Sequence, residues 1–206
     1  MARKTGAAIG VREHSGWAAV VALAGDPLSP AVVDRRRLEL LRGDVPRQPY
    51  HAGSELGDVA AAGRLVKRAE AVAAKEAERG LKSLTADLAR QGWSVVGLAV
   101  GDRSGRVPSE IARILPSHAL LHAAEGELYR EALADAASRL ALPVTRYPPK
   151  GVTQATALAL GMSAEELGAR VSELGRAVGP PWRVDQKLAA AAAWLALASS
   201  GGKGAR

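Results

Sequence analysis

Cysteine is absent from the 206-residue chain, which excludes disulfides, thiolate metal ligation and a cysteine nucleophile at once. Phenylalanine is absent as well, and four tryptophans and three tyrosines make up the aromatic complement. That is too few for the stacking platforms that hold single-stranded nucleic acid. No GxxxxGK[ST] segment occurs, which argues against a nucleotide-driven machine, and no nucleophile elbow accompanies a Ser-His-Asp order. The longest apolar run, LAAAAAWLALA at 188–198, is too short and too rich in alanine to span a bilayer. The stretch MARKTGAAIGVREHSG lacks the apolar core of a signal peptide. A soluble cytoplasmic protein with no membrane partner is expected. The net charge is +7, but Arg3, Lys4, Lys203 and Arg206 lie at the chain ends, so the excess elsewhere is mild. It is compatible with a polyanionic partner without requiring one.

What is present reads as strands followed by a strand–helix alternation. Residues 7–12 and 17–24 are two strands rich in Val, Ala and Ile, joined by a tight turn at Ser15-Gly16. After the turn cluster GDPLSP, residues 31–41 form a third strand, and GDVPRQPYHAGS (43–54) reads as an irregular loop. From Val59 to Arg90 the spacing turns helical, with Leu65, Val66, Ala69, Val72, Ala73, Leu81, Leu84 and Leu88 on one side and Gly80 as a weak point. WSVVGLAVGD (93–102) is a short apolar run bounded by glycines, the pattern of a buried parallel strand. PSEIARIL is a short helix stopped by Pro116, and Ser117 caps a longer one over 118–142. PVTRYPP (143–149) is a fifth strand. MSAEELGARVSELGRAV opens on a capping box, Ser163 with Glu166, and WRVDQKLAAAAAWLALA is the last helix. The order β-β-β-α-β-α-β-α-α predicts one α/β domain over 1–206 with disordered ends at 1–5 and 200–206. Its core is a mixed five-stranded sheet with helices on both faces.

That element order resembles the ribonuclease-H-like superfamily, and RuvC-type resolvases within it most closely. IGV followed by GW looks like the family's first hairpin, LPVTRYPPKGV like its fifth strand, and VDQKLAAAAAWLALA like its last helix. The resemblance implies strand order 3-2-1-4-5 with the first three strands antiparallel. It also implies a Mg²⁺ or Mn²⁺ centre built from carboxylates at the strand ends and on the last helix. Asp185 holds the place of the helix aspartate. The family's first-strand aspartate falls on Arg12, with Glu13 one residue later, and the fourth-strand glutamate has its nearest counterpart in Asp102. Glu13, Asp102 and Asp185 are therefore the expected metal and catalytic set, able to activate water for phosphodiester cleavage. Glu13 reaches Asp185 only if the strand ends at Val11 and Arg12 begins the turn. The turn-forming character of EHSG favours that arrangement, which would put the two carboxylates within roughly 5 Å of each other.

A second group lies outside the resemblance. His122 and Glu125 sit three apart on one helical face, with His118 and Tyr129 one turn to either side, and Gly126 interrupts an otherwise strong helix. Tyr50 and His51 occupy a loop where a scaffold commonly carries function. His51, His122 and Glu125 are thus further catalytic candidates, suited to a small-molecule reaction. Arg35, Arg36 and Arg37 on the third strand, with Arg103, Lys150 and Lys187, are candidate phosphate contacts, although charges on an edge strand also serve to block aggregation. Two functional readings follow: a metal-dependent nuclease or nucleic-acid-processing protein, and a catalytically silent binding module of the same fold. Nucleic acid and a second copy of the chain are the expected partners.

Overall fold

The computed structural model describes residues 6–102, 105–148 and 150–201. Strands β1 (Gly6–His14), β2 (Trp17–Asp26) and β3 (Ser29–Glu39) form the expected antiparallel meander, and β4 (Ser94–Gly101) and β5 (Val144–Tyr147) add in parallel on the other side of β1. The sheet order is β3-β2-β1-β4-β5. The β1–β2 turn closes at His14 opposite Trp17, and Gly16 takes the left-handed φ of +82° that the turn requires.

Side-chain alternation along β1 divides the core in two. Ile9 and Val11 face α2 (Val59–Arg90) and α4 (His118–Arg139), whereas Ala8 belongs to a second core built with α5 (Val152–Leu160), α6 (Ala164–Val178) and α7 (Val184–Gly201). Two short helices, α1 (Pro49–Ser54) and α3 (Ile111–Ile114), complete the α2–α4 face. The expectation of a loop over 43–54 is corrected by α1: Pro49 stands at the helix start, where its missing N–H costs nothing and its fixed φ is already helical. Residues 152–160 form α5, a helix additional to the expected element order, ended by Gly161 in the left-handed region. Helix α2 runs unbroken past Gly80, because the missing side chain there admits Leu38: a Cβ would lie 3.0 Å from its Cδ2. Of the ends expected to be disordered, 1–5 and 202–206 fall outside the described residues, while residues 200 and 201 close α7.

The alanine run of the last helix has a packing cause. Helix α7 lies directly on β1, and a Cβ at Gly10 would overlap the backbone of Ala189 and Ala193. Small residues on both surfaces are what permit this approach. Gly10→Ala is therefore expected to cost about 3 kcal/mol or more, lowering Tm by roughly 6–12 °C for a chain of this size. Thermal denaturation followed by circular dichroism checks it, and an unchanged Tm would mean that α7 sits farther from the sheet. No helix among the described residues is long and apolar enough to cross a membrane.

Candidate functional site

Strand β1 does not end at Val11. It continues in register through Glu13, opposite Ala18, to His14. Arg12 and His14 therefore point to one face of the sheet and Glu13 to the other. On the α4 side, Glu13 Oε1 accepts a hydrogen bond from Arg130 Nη1 at 3.0 Å, with both side chains less than a tenth exposed. Two glycines make room for this ion pair. A Cβ at Gly126, one turn before Arg130, would lie 2.8 Å from its Nη1, and one at Gly101 would lie 3.3 Å from its Cδ and 3.8 Å from Glu13 Oε1. The helix-weakening Gly126 thus admits a guanidinium. Tyr147 closes the group by donating to the Val11 carbonyl at 3.0 Å. Burial, with help from the Glu13 charge, holds its phenol well above the ordinary range.

On the opposite side, Asp185 takes a different partner. Its Oδ1 lies 2.9 Å from His14 Nε2, in the first turn of α7 where the helix dipole favours a carboxylate. His14 stacks on Trp17 at 4.3 Å, and the Arg37 guanidinium covers the same indole at 4.0 Å. Asp102 is exposed just beyond β4, its backbone N–H donating to the Tyr147 carbonyl at 2.7 Å. Glu13, Asp102 and Asp185 do not bring their carboxylate oxygens within 4.8 Å of one another. Among the described residues, the group close enough to hold one ion is instead His51, His118 and His122. A hard Mg²⁺ or Mn²⁺ ion needs several unencumbered oxygen ligands. Here Glu13 is already neutralised by a buried arginine, and a second arginine, Arg12, precedes it on β1. The donor set does not fit that ion.

The histidine group comes together because α1 docks its N-terminus on α4. Glu125 Oε1 accepts from the backbone N–H of Tyr50 at 2.9 Å and of His51 at 3.2 Å, and it lies 3.3 Å from His51 Nδ1. The first N–H groups of a helix have no partner within it, and a carboxylate from another helix supplies one here. Burial pushes the Glu125 carboxyl up to about 7, against the opposing pull of those two N–H groups. The His51 ring is 4.6 Å from that of His122 and 5.6 Å from that of His118, and the latter two rings meet edge-on at 4.4 Å. Partial desolvation and the neighbouring imidazoles lower the pKa of His122. The expected grouping of His51, His122 and Glu125 is thus realised, and His118 joins it.

The two constellations open on one cleft. A cavity of about 340 Å³ is bordered by Arg12, Glu13, His122, Glu125, Arg130 and Lys150. Through His14, Ser15 and Gln48 it meets a second, of about 610 Å³, bordered by Arg47 and His51. Of the three carboxylates bordering the two cavities, Glu13 is engaged by Arg130 and Glu125 by the α1 N-terminus, with Glu55 beside Arg47 and His51; Arg12, Arg47 and Lys150 are the further cations of the cleft. Arg12 Nε is buried without a hydrogen-bond partner. Local sequence pattern does not mark Arg12, Arg47 or Arg130 as neighbours of one cleft. Only Gly126, four residues before Arg130, hinted at one of them.

The third-strand arginines have intramolecular work. Arg35 donates to the carbonyls of Gly179, Pro180 and Pro181 at 2.7–3.2 Å. Arg36 pairs with Asp34 and Asp87, and Arg37 with Glu39 and Trp17. Lys187 is exposed on the first turn of α7, Lys150 borders the cleft, and Arg103 lies outside the described residues.

No protein-family model matches the chain, and no curated protein matches it. Among solved structures, Thermus thermophilus RuvC in complex with a Holliday junction substrate is 15% identical, with 97% of each chain covered and a TM-score of 0.52. Another Thermus thermophilus RuvC structure is 16% identical over 95% of this chain and 96% of that one, with a TM-score of 0.53. The fold is ribonuclease-H-like, of the RuvC type.

Proposed function

We propose that the chain is a nucleic-acid-binding module of the RuvC-type fold that engages phosphates through the strand-end cleft and does not cleave them with Mg²⁺. The observation that carries this reading is the buried Arg130–Glu13 pair at the end of β1, with Arg12 and Lys150 bordering the same cavity. A carboxylate centre binds phosphate through a metal ion, whereas a guanidinium binds it directly and bidentately. Exchanging the first for the second keeps affinity for the polyanion and removes the activated water. The solved relative complexed with a Holliday junction substrate supports nucleic acid as the ligand class, as does the basic cleft. A nuclease using Mg²⁺ or Mn²⁺ held by Glu13, Asp102 and Asp185 ranks behind it, because Glu13 is already committed to Arg130.

Fluorescence anisotropy with labelled duplex and four-way-junction DNA, across a salt series, tests the binding. The expected result is log K falling linearly with log salt, with a slope of about −0.9 for each phosphate neutralised. Incubation of the same DNA with Mg²⁺ or Mn²⁺ is expected to leave it intact. Metal-dependent nicking would restore the nuclease reading, and absence of binding at low salt would remove nucleic acid as the ligand. Light scattering on the same sample reads whether a second copy of the chain is bound.

A further inference from the structure

We infer that His51, His118 and His122 form a three-imidazole site for a borderline-soft divalent cation, Zn²⁺ foremost, with Glu125 as the group that orients His51. His118 and His122 lie on successive turns of α4 and share one face, and His51 approaches that face from α1. One ligand atom from each lies within 4.8 Å of the other two. Three nitrogens at about 2.0–2.1 Å from a tetrahedral ion are about 3.3 Å apart. His118 and His122 are exposed, so their side chains are the ones that must draw in to close that difference.

The arrangement around His51 is what separates this group from a chance meeting of surface rings. Its Nδ1 faces Glu125 Oε1 at 3.3 Å, and that oxygen is itself fixed by two backbone N–H groups. Its other nitrogen, Nε2, is buried with no hydrogen-bond partner. A buried polar atom without a partner is costly, and a metal ion supplies one. The carboxylate–imidazole–metal order is how ligating histidines are commonly oriented and made more basic. An all-imidazole donor set selects Zn²⁺ or Co²⁺ over Mg²⁺ and Ca²⁺. Three protein ligands leave a fourth position open. His122 borders the cavity that holds Arg12, Arg130 and Lys150, so that position is suited to water or a phosphate oxygen. The site stands whether or not the cleft binds nucleic acid.

The test is titration of the full chain, free of any affinity-tag histidines and stripped of metal, with Co²⁺ followed by its visible ligand-field absorption. One equivalent is expected to bind, with the strong bands of a four- or five-coordinate ion, and Zn²⁺ is expected to displace it. His51→Ala and His122→Ala are expected to abolish the bands, and Glu125→Gln to weaken affinity about 10–100-fold. Circular dichroism of each variant confirms that it is folded. Absence of stoichiometric binding would leave the rings as a stacked surface cluster and overturn the inference. So would binding that survives His51→Ala but is lost in His14→Ala, which would put the ion at the His14–Asp185 pair.

Discussion

Arg130→Ala is expected to destabilise the protein by about 3–5 kcal/mol, because it leaves the Glu13 carboxylate buried without its counter-charge. The two side chains are 7% and 8% exposed, Glu13 Oε2 has no hydrogen-bond partner, and the nearby Tyr147 hydroxyl donates to the Val11 carbonyl. For a chain of this length the loss corresponds to a Tm lower by roughly 6–20 °C. The cost belongs to the orphaned charge and not to the pair as such. Taking both ions out of water already costs several kcal/mol, which their attraction only offsets. Glu13→Leu combined with Arg130→Met is accordingly expected to stay much closer to the parent Tm than Arg130→Ala does. Urea denaturation of the parent, the single variant and the double variant separates the two effects. If the double variant falls as far as the single one, the pair contributes net stability and the orphaned-charge account is wrong.

The same ion pair marks where sequence and structure part. Periodicity carried the five strands and the long helices, since each buries one face against a neighbour and its apolar spacing records that face. Strand β1 ran longer than its local chemistry suggested. EHSG is rich in turn formers, yet Glu13 and His14 remain in the strand because each finds a distant partner, Arg130 and Asp185 respectively. Tertiary pairing overrode local turn preference. Helix α1 was misread for a related reason: proline and glycine in PYHAGS suggest a loop, while the N-terminus of this one-and-a-half-turn helix is satisfied by a carboxylate on α4. His122 and Glu125 were legible as an i,i+3 pair. Their meeting with His51 depends on that docking, across 74 positions of chain, which no local window contains. Arg130 is one of two arginines in α4, and nothing in its local spacing separates it from Arg139.

The second large effect concerns Arg12, which borders the cleft next to the Glu13–Arg130 pair. Arg12→Asp places a carboxylate at that strand position and changes the charge of the cleft by two. If Arg12 contacts phosphate directly, affinity for duplex or four-way-junction DNA is expected to fall roughly 10–100-fold at moderate salt. The salt slope is expected to shrink by about 1, the signature of one lost phosphate contact. Arg12→Lys is expected to keep most of the slope, because the charge remains, while losing the bidentate geometry. Cleavage is not expected to appear with Mg²⁺ or Mn²⁺ in Arg12→Asp. The new carboxylate would share a sheet face with Asp185, which His14 already engages, while Glu13 points to the other face and is neutralised by Arg130. One carboxylate does not make a metal centre when its neighbours are occupied. Anisotropy across a KCl series and a plasmid-nicking assay on the same preparations measure both. Unchanged affinity and slope would remove Arg12 from the phosphate path. Metal-dependent nicking by Arg12→Asp would mean that the carboxylate centre needs only this residue to assemble, and the silent reading of the fold would fail with it.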